Sequence, residues 1–182
     1  KARISSFDKV GVIGAGGGLG IHMLKMLKLN NISAIGIDTK TEKFNTCNEN
    51  GAEFSVSPME NDLKNKISDF SKSNDLDVVI DFVSSKSSLE LGCSILGKGG
   101  RLVTLGGSGE QFLANSADML VKELELIGSR YCTKQELKES LDLYARGLIE
   151  PLVSVKTDFD GAEDLHDKIE KGEIIGRAGI LI

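Results

Sequence analysis

The sequence predicts an α/β fold built on a doubly wound parallel sheet of six strands, and three observations carry that prediction. Short apolar runs alternate with stretches whose apolar residues recur at helical spacing, the pattern of a sheet covered by helices on both faces. A glycine-rich turn, Gly14-Ala15-Gly16-Gly17-Gly18-Leu19-Gly20, follows the first apolar run directly. A carboxylate, Asp38, closes the second run roughly twenty residues beyond the last glycine.

The elements follow in order. Residues 10–13 are mostly β-branched and end abruptly in the glycines, so they read as a buried strand. Leu19, Met23, Leu24 and Leu27 then form one helical face, and residues 33–37 make the second strand. Residues 41–50 read as a helix with Phe44 and Cys47 inward, stopped by Gly51 in a left-handed conformation. A short third strand at 54–56 closes on Ser57-Pro58. Leu63, Ile67 and Phe70 fall at i, i+4 and i+7 of an amphipathic helix capped by Asn61 or Asp62, with a polar loop at 72–75. Val78-Val79-Ile80, between Asp77 and Asp81, is the clearest strand, apolar enough to be covered on both sides. Leu89, Cys93 and Leu96 mark a helix that Gly97-Lys98-Gly99-Gly100 ends. Residues 101–105 are strand five, running into Gly106-Gly107-Ser108-Gly109, and a loosely helical stretch at 115–122 leads to strand six at 124–128. Thr133 and Glu136 make a capping box for a helix with Leu137, Leu141 and Tyr144 on one face, stopped by Gly147. An extended piece at 152–155, a helix around Leu165 and Ile169, and a strand at 178–182 complete the chain.

Composition narrows the function classes. The chain of 182 residues suits one domain with an appendage, and 40% hydrophobic with 27% charged residues is ordinary for a globular protein in water. A net charge of −5 gives no basic field for nucleic acid. No apolar run reaches membrane-spanning length, and no signal-peptide pattern opens the chain, although its first residue is Lys1 rather than methionine. Cys47, Cys93 and Cys132 are scattered and odd in number, which suits a reducing cytoplasm and argues against a disulfide scaffold or cysteine-rich zinc site.

The strand, glycine turn, helix and Asp38 together have the layout of a dinucleotide-binding βαβ unit, which makes the sheet a Rossmann fold. The glycines admit a pyrophosphate to the backbone, and the helix start offers it unpaired N–H groups and a positive dipole end. Asp38 stands where a carboxylate accepts hydrogen bonds from the adenosine ribose. Counted back from Gly20, the G-x-G-x-x-G frame falls on Ala15, Gly17 and Gly20; the competing reading is a glycine turn that only lets a helix pack closely on a strand. Ligands bind such sheets at the carboxyl edge, which nominates Val83-Ser84, Gly106-Gly107-Ser108 and Ser129-Arg130-Tyr131 as well. The only histidines, His22 and His166, read as helix-surface residues, Cys47 and Cys93 as small core residues, and no metal spacing, Ser-His-acid set or nucleophile elbow is present.

The stretch Val12-Ile13-Gly14-Ala15-Gly16-Gly17-Gly18-Leu19-Gly20 resembles the nucleotide loop of the medium-chain, zinc-type alcohol dehydrogenase family, some members of which write it G-A-G-G-G-L-G. Gly36-Ile37-Asp38 with Lys43, then Asn50-Gly51-Ala52-Glu53, Asp77 to Asp81, Lys98-Gly99-Gly100-Arg101, Gly128-Ser129 and Gly176-Arg177 follow in the family's order, over nearly the whole chain. The resemblance implies that amides of Gly16, Gly17, Gly18, Leu19 and Gly20 cradle a pyrophosphate, and that Asp38 binds the adenosine ribose with help from Lys43. It also implies that Val83 and Ser84 border the adenine, that Gly106 and Gly107 lie near the nicotinamide ribose, and that the backbone of Ser129, Arg130 and Tyr131 meets the carboxamide. Arg177 would reach the pyrophosphate. The competing reading of Lys43 and Arg177 is a solvated surface charge.

Asp38 favours NAD over NADP, because a 2′-phosphate about 4 Å from a carboxylate costs ~1 kcal/mol in water and ~4 kcal/mol at an effective dielectric of 20. The family's catalytic zinc and its ligands come mainly from a domain preceding the nucleotide fold, and nothing upstream of Lys9 supplies them. The expectation is therefore an NAD-binding Rossmann domain at 1–157 with a tail at 158–182 that packs on an absent catalytic domain and is exposed or poorly ordered without it. The full-length protein would transfer a hydride between a small alcohol or aldehyde and NAD; this chain alone would bind NAD without turnover, with no nucleic-acid or membrane partner. The apolar sixth strand is a candidate edge for a homodimer. Two other classes stay open: a non-catalytic NAD-sensing module, and an S-adenosylmethionine-dependent methyltransferase, whose sheet commonly ends in an antiparallel hairpin.

Overall fold

The computed structural model describes residues 1–73 and 75–182; Asn74, within the polar loop expected at 72–75, lies outside the described residues. Six strands form one parallel sheet in the order β3-β2-β1-β4-β5-β6: β1 (Val10–Ile13), β2 (Ala34–Ile37), β3 (Ser55–Val56), β4 (Leu76–Asp81), β5 (Leu96–Thr104) and β6 (Glu125–Gly128). This is the doubly wound Rossmann order, with its switch point between β1 and β4. Every pairing in it is parallel, so it does not end in the antiparallel hairpin of the methyltransferase reading.

Among the described residues seven α-helices accompany the strands: α1 (Gly20–Leu29), α2 (Phe44–Glu49), α3 (Leu63–Ser71), α4 (Lys86–Ser94), α5 (Ser116–Lys122), α6 (Lys134–Ala145) and α7 (Ala162–Glu170). None is long and apolar enough to cross a membrane among the described residues. Two apolar layers hold the sheet. On one face Ile21, Leu24 and Leu27 of α1 pack with Val10, Val12, Val78, Ile80 and Cys47. On the other, Leu63, Ile67 and Phe70 of α3 and Leu89 of α4 cover Ile35, Ile37, Val79 and Leu102. Each such side chain contributes roughly 1.5–3 kcal/mol on burial, which is why β1 and β2 are apolar throughout rather than alternating.

Several local expectations meet competing contacts. The glycines at 97–100 do not end α4, which stops at Ser94; they lie inside β5, where Leu96 pairs with Leu76 and the register then shifts so that Arg101 meets Val78. Leu96 accordingly belongs to the strand. Residues 41–43 form a 3-10 turn before α2 rather than its first turn, and Gly51 takes the left-handed φ of +128°. Asp62 precedes α3 without capping it through its side chain, because Oδ1 accepts from Asn65 instead. The box at Thr133 and Glu136 forms with both reciprocal bonds. The face of α6 carrying Leu137, Leu141 and Tyr144 is nevertheless exposed, as is Leu126 on the edge strand β6.

The tail builds a small sheet of its own with the strand before it. Strands β7 (Val153–Thr157) and β8 (Arg177–Ile180) pair in parallel as a second small sheet, so a boundary after residue 157 separates two bonded strands. The tail also docks on the nucleotide half: Gly176 N–H donates to Gly16 O (3.1 Å), and Ile174 and Leu165 are buried. Phe159, Ile169 and Leu181 remain exposed.

Candidate functional site

The carboxyl ends of β1, β2, β4 and β5 meet around the glycine turn. Gly14 makes the turn itself, with φ +75° and its N–H on Ile37 O (2.9 Å), a conformation that penalises any Cβ. Ala15, at the first frame position, is fully buried, and its methyl occupies space beside Gly36 that a larger side chain at 36 would fill. The alanine is therefore a packing choice, and the sharp turn sits one residue earlier. Within the turn Gly20 makes the closest approach: a Cβ there would stand 2.2 Å from Gly14 O. Beyond the turn, the amides of Gly18, Leu19 and Gly20 have no partner among the described residues, and α1 begins at Gly20. Three unpaired donors at the start of a ten-residue helix make an anion cradle.

Asp38 fixes this turn as well as facing it. Its Oδ2 accepts from Gly16 N–H (2.8 Å) and its Oδ1 from Lys40 N–H (3.0 Å), while each oxygen keeps a further lone pair. Between β2 and β4 lies a cleft of about 360 Å³ whose walls include Ile13, Ile37, Asp38, Pro58, Met59 and Val83. An apolar slot with a carboxylate at its lip suits a flat heterocycle carrying a hydroxylated sugar.

Lys43 is neither solvated nor turned to the cleft. It is only 4% exposed, its stem covers Gly16, and its Nζ donates to Ile174 O (2.8 Å), tying the turn to the tail. Arg177 is exposed and lies across Gly18, where a Cβ would fall 2.7 Å from its Cδ and Nε. His22 is not a plain surface residue either: Nδ1 is 2.6 Å from Gly18 O, and Nε2 is 3.2 Å from Leu152 N. His166 is exposed on α7.

The β4 edge depends on a group that sequence reading passed over. Asp81 is fully buried, and its carboxylate takes N–H bonds from Val83 (2.8 Å) and Ser84 (3.0 Å) and the Ser88 hydroxyl (2.7 Å). Ser84 therefore holds a positive φ of 55°, and its hydroxyl bonds Thr104 and Gly106 N–H (2.9 Å) instead of facing the cleft. Ser85 and Ser88 form a capping box on α4, a serine version of the pattern that an acid usually signals. Gly106 fits because a Cβ would meet Ser84 Oγ and Val83 O at 2.7 Å, whereas Gly107 is open. Ser129 N–H bonds Thr104 O (3.0 Å), bringing the end of β6 alongside. Arg130 stacks on the Tyr131 ring at 4.4 Å and donates to its hydroxyl, and Tyr131 is exposed at φ 54°.

Cys47 reports on the charge beneath the turn. Burial, with Asp38 adding to it, pushes its thiol up to about 11 against an ordinary value of 9.0, while a bond with Ser55 and the charge of Lys43 oppose the rise. The fold thus keeps a proton that the unfolded chain releases between those values, so stability falls as pH rises from about 9 to about 11. Urea midpoints measured from pH 8 to 11 will show that decline, and Cys47→Ala will flatten it. An equal slope in both proteins overturns the assignment.

The donor set does not fit zinc. No group of three or more His, Cys, Asp or Glu side chains is placed to hold a metal among the described residues, and Cys47 and Cys93 belong to the apolar layers. The dinucleotide fits better, through the cradle of amides, Asp38 and the slot beside it.

Comparison with known proteins agrees with the geometry. The sequence model described as "Zinc-binding dehydrogenase" matches residues 18–146. The NAD-dependent alcohol dehydrogenase of Sulfurisphaera tokodaii is 25% identical over 97% of this chain and 51% of its own length. The acryloyl-coenzyme A reductase of Metallosphaera sedula is 28% identical over 96% of this chain and 52% of its own. Among solved structures, the alcohol dehydrogenase of Aeropyrum pernix superposes with a TM-score of 0.87 at 26% identity, covering 97% of this chain and 50% of that one. The chain thus spans about half the length of the relatives it matches.

Proposed function

Because this chain belongs to the zinc-binding dehydrogenase family, we propose that it is the NAD-holding half of an alcohol dehydrogenase. The observation that carries the reading is the joint geometry of Asp38 and the glycine turn, held to each other through Gly16 N–H. When bound, the nicotinamide would supply the hydride chemistry; the protein's part is to grip and orient it. The amides of Gly18, Leu19 and Gly20, with the dipole of α1 and the Arg177 guanidinium, balance the pyrophosphate charge. Asp38 accepts from the adenosine ribose hydroxyls and disfavours a 2′-phosphate there, which makes NAD the preferred cofactor over NADP. Val83 and the apolar walls of the cleft take the adenine. Gly106 and Gly107, lacking side chains, leave the β5 edge open for the nicotinamide ribose, and the backbone at 129–131 borders the carboxamide.

Polarising an alcohol oxygen needs a Lewis acid or a proton relay that these residues do not form, so the chain by itself binds cofactor without oxidising alcohol. The test is a calorimetric titration with NAD, NADP and S-adenosylmethionine in parallel, followed by an alcohol-oxidation assay with added zinc. Saturable binding of NAD, tighter than NADP, with no turnover supports the reading. Preference for S-adenosylmethionine, or zinc-dependent turnover, overturns it.

A further inference from the structure

His22 makes contacts that neither packing nor metal binding explains. It sits in the first turn of α1, half-buried, with a polar partner on each ring nitrogen. Leu152 N–H can only donate, so Nε2 must carry the lone pair. The proton of the neutral ring then lies on Nδ1 and goes to Gly18 O, an acceptor. One tautomer satisfies both partners, and a doubly protonated ring would set two N–H groups against each other at Leu152.

The partners belong to two segments that are remote in sequence. Leu152 O accepts from Arg177 N–H (2.8 Å), and Gly176 N–H donates to Gly16 O (3.1 Å). A closed circuit results: from the glycine turn through His22 to Leu152, from Leu152 to Arg177, and from Gly176 back to the turn. Gly176 takes φ +67° within that circuit, and a Cβ there would stand 2.7 Å from Leu152 O. The Arg177 side chain leaves the circuit directly across Gly18. The backbone that aims Arg177 is therefore fixed to the surface on which the guanidinium acts, with His22 as the side chain that closes this circuit and Lys43 tying the same turn to Ile174 O beside it.

We propose that His22 is a positioning residue for the dinucleotide pyrophosphate, acting through Leu152 to hold Arg177 over the glycine turn. The inference rests on the cofactor reading above and adds a residue to it. His22 itself touches no part of the cofactor; it sets where the arginine stands.

A double-mutant cycle read by NAD calorimetry on the 182-residue chain separates positioning from general support. Arg177→Ala is expected to weaken NAD binding roughly tenfold, as the loss of one charge-assisted contact does. His22→Leu should produce a similar loss, and adding Arg177→Ala to it should cost less than about a further twofold, because the arginine is already misplaced. His22→Gln, whose amide oxygen can accept from Leu152 N–H, should recover most of the affinity. Circular dichroism melts establish that each variant is folded, and the glutamine variant carries the test if leucine disturbs α1. Additive losses at His22 and Arg177, or wild-type affinity in His22→Leu, overturn the inference while leaving the cofactor reading intact. Failure of the wild-type chain to bind NAD overturns both.

Discussion

Asp38→Ala is expected to weaken NAD binding by about a hundredfold and to remove most of the proposed preference for NAD over NADP. Each ribose hydroxyl donating to a carboxylate is worth about 1.5–3 kcal/mol, so losing two such bonds costs ~3 kcal/mol or more, and 1.4 kcal/mol is tenfold. The same change releases Gly16 N–H and Lys40 N–H, the bonds that hold the turn in register with β2. The effect on NADP is smaller, because the repulsion of a 2′-phosphate disappears along with the ribose contacts. Asp38→Asn is nearly as damaging: both carboxylate oxygens face N–H donors, and an amide nitrogen in either place sets donor against donor. Calorimetry with both cofactors decides the matter, and an Asp38→Ala protein that binds NAD within threefold of wild type removes this carboxylate from the site.

Gly20→Ala is expected to cost stability through close backbone approach. A methyl group there would stand 2.2 Å from Gly14 O and 2.7 Å from Ala15 Cα and O, all of it backbone with no side chain to swing aside. Either α1 or the turn must move, and the turn is anchored to Ile37 O through two amides. Overpacking against a fixed backbone costs about 3 kcal/mol. For a chain of this size that lowers the melting temperature by roughly 6–12 °C. Gly107→Ala is the matched control, since nothing lies within 4 Å of its Cβ position, and its stability should stay within about 0.5 kcal/mol of wild type. Equal melting of the two variants overturns the argument from close approach.

Elements specified by their own neighbours were legible in the sequence. The strand-turn-helix-strand unit from Val10 to Asp38 and the Thr133–Glu136 box are short-range patterns, and both form. Contacts across the chain were not. Lys43 reads as a helix charge until Ile174 O arrives over it, and His22 as a surface residue until Leu152 does. The glycines at 97–100 read as a helix stop, since nothing local announces that Leu96 pairs with Leu76. Asp81 looked like a strand flank, although the serines at 84, 85 and 88 were the signal that its carboxylate organises the turn after β4. The face of α6 was read correctly as apolar, but periodicity cannot say what meets it, and here it stays exposed.

The bond from Gly176 to Gly16 spans most of the polypeptide, and that has a consequence for how the protein comes into being. Loop closure over so long a separation is entropically late, whereas β1, α1 and β2 meet through near neighbours. The βαβ unit that carries Asp38 needs only near neighbours, so its contacts form ahead of those that Leu152 and Arg177 make with it. The bond between Gly176 and Gly16 is accordingly among the last contacts to close on folding.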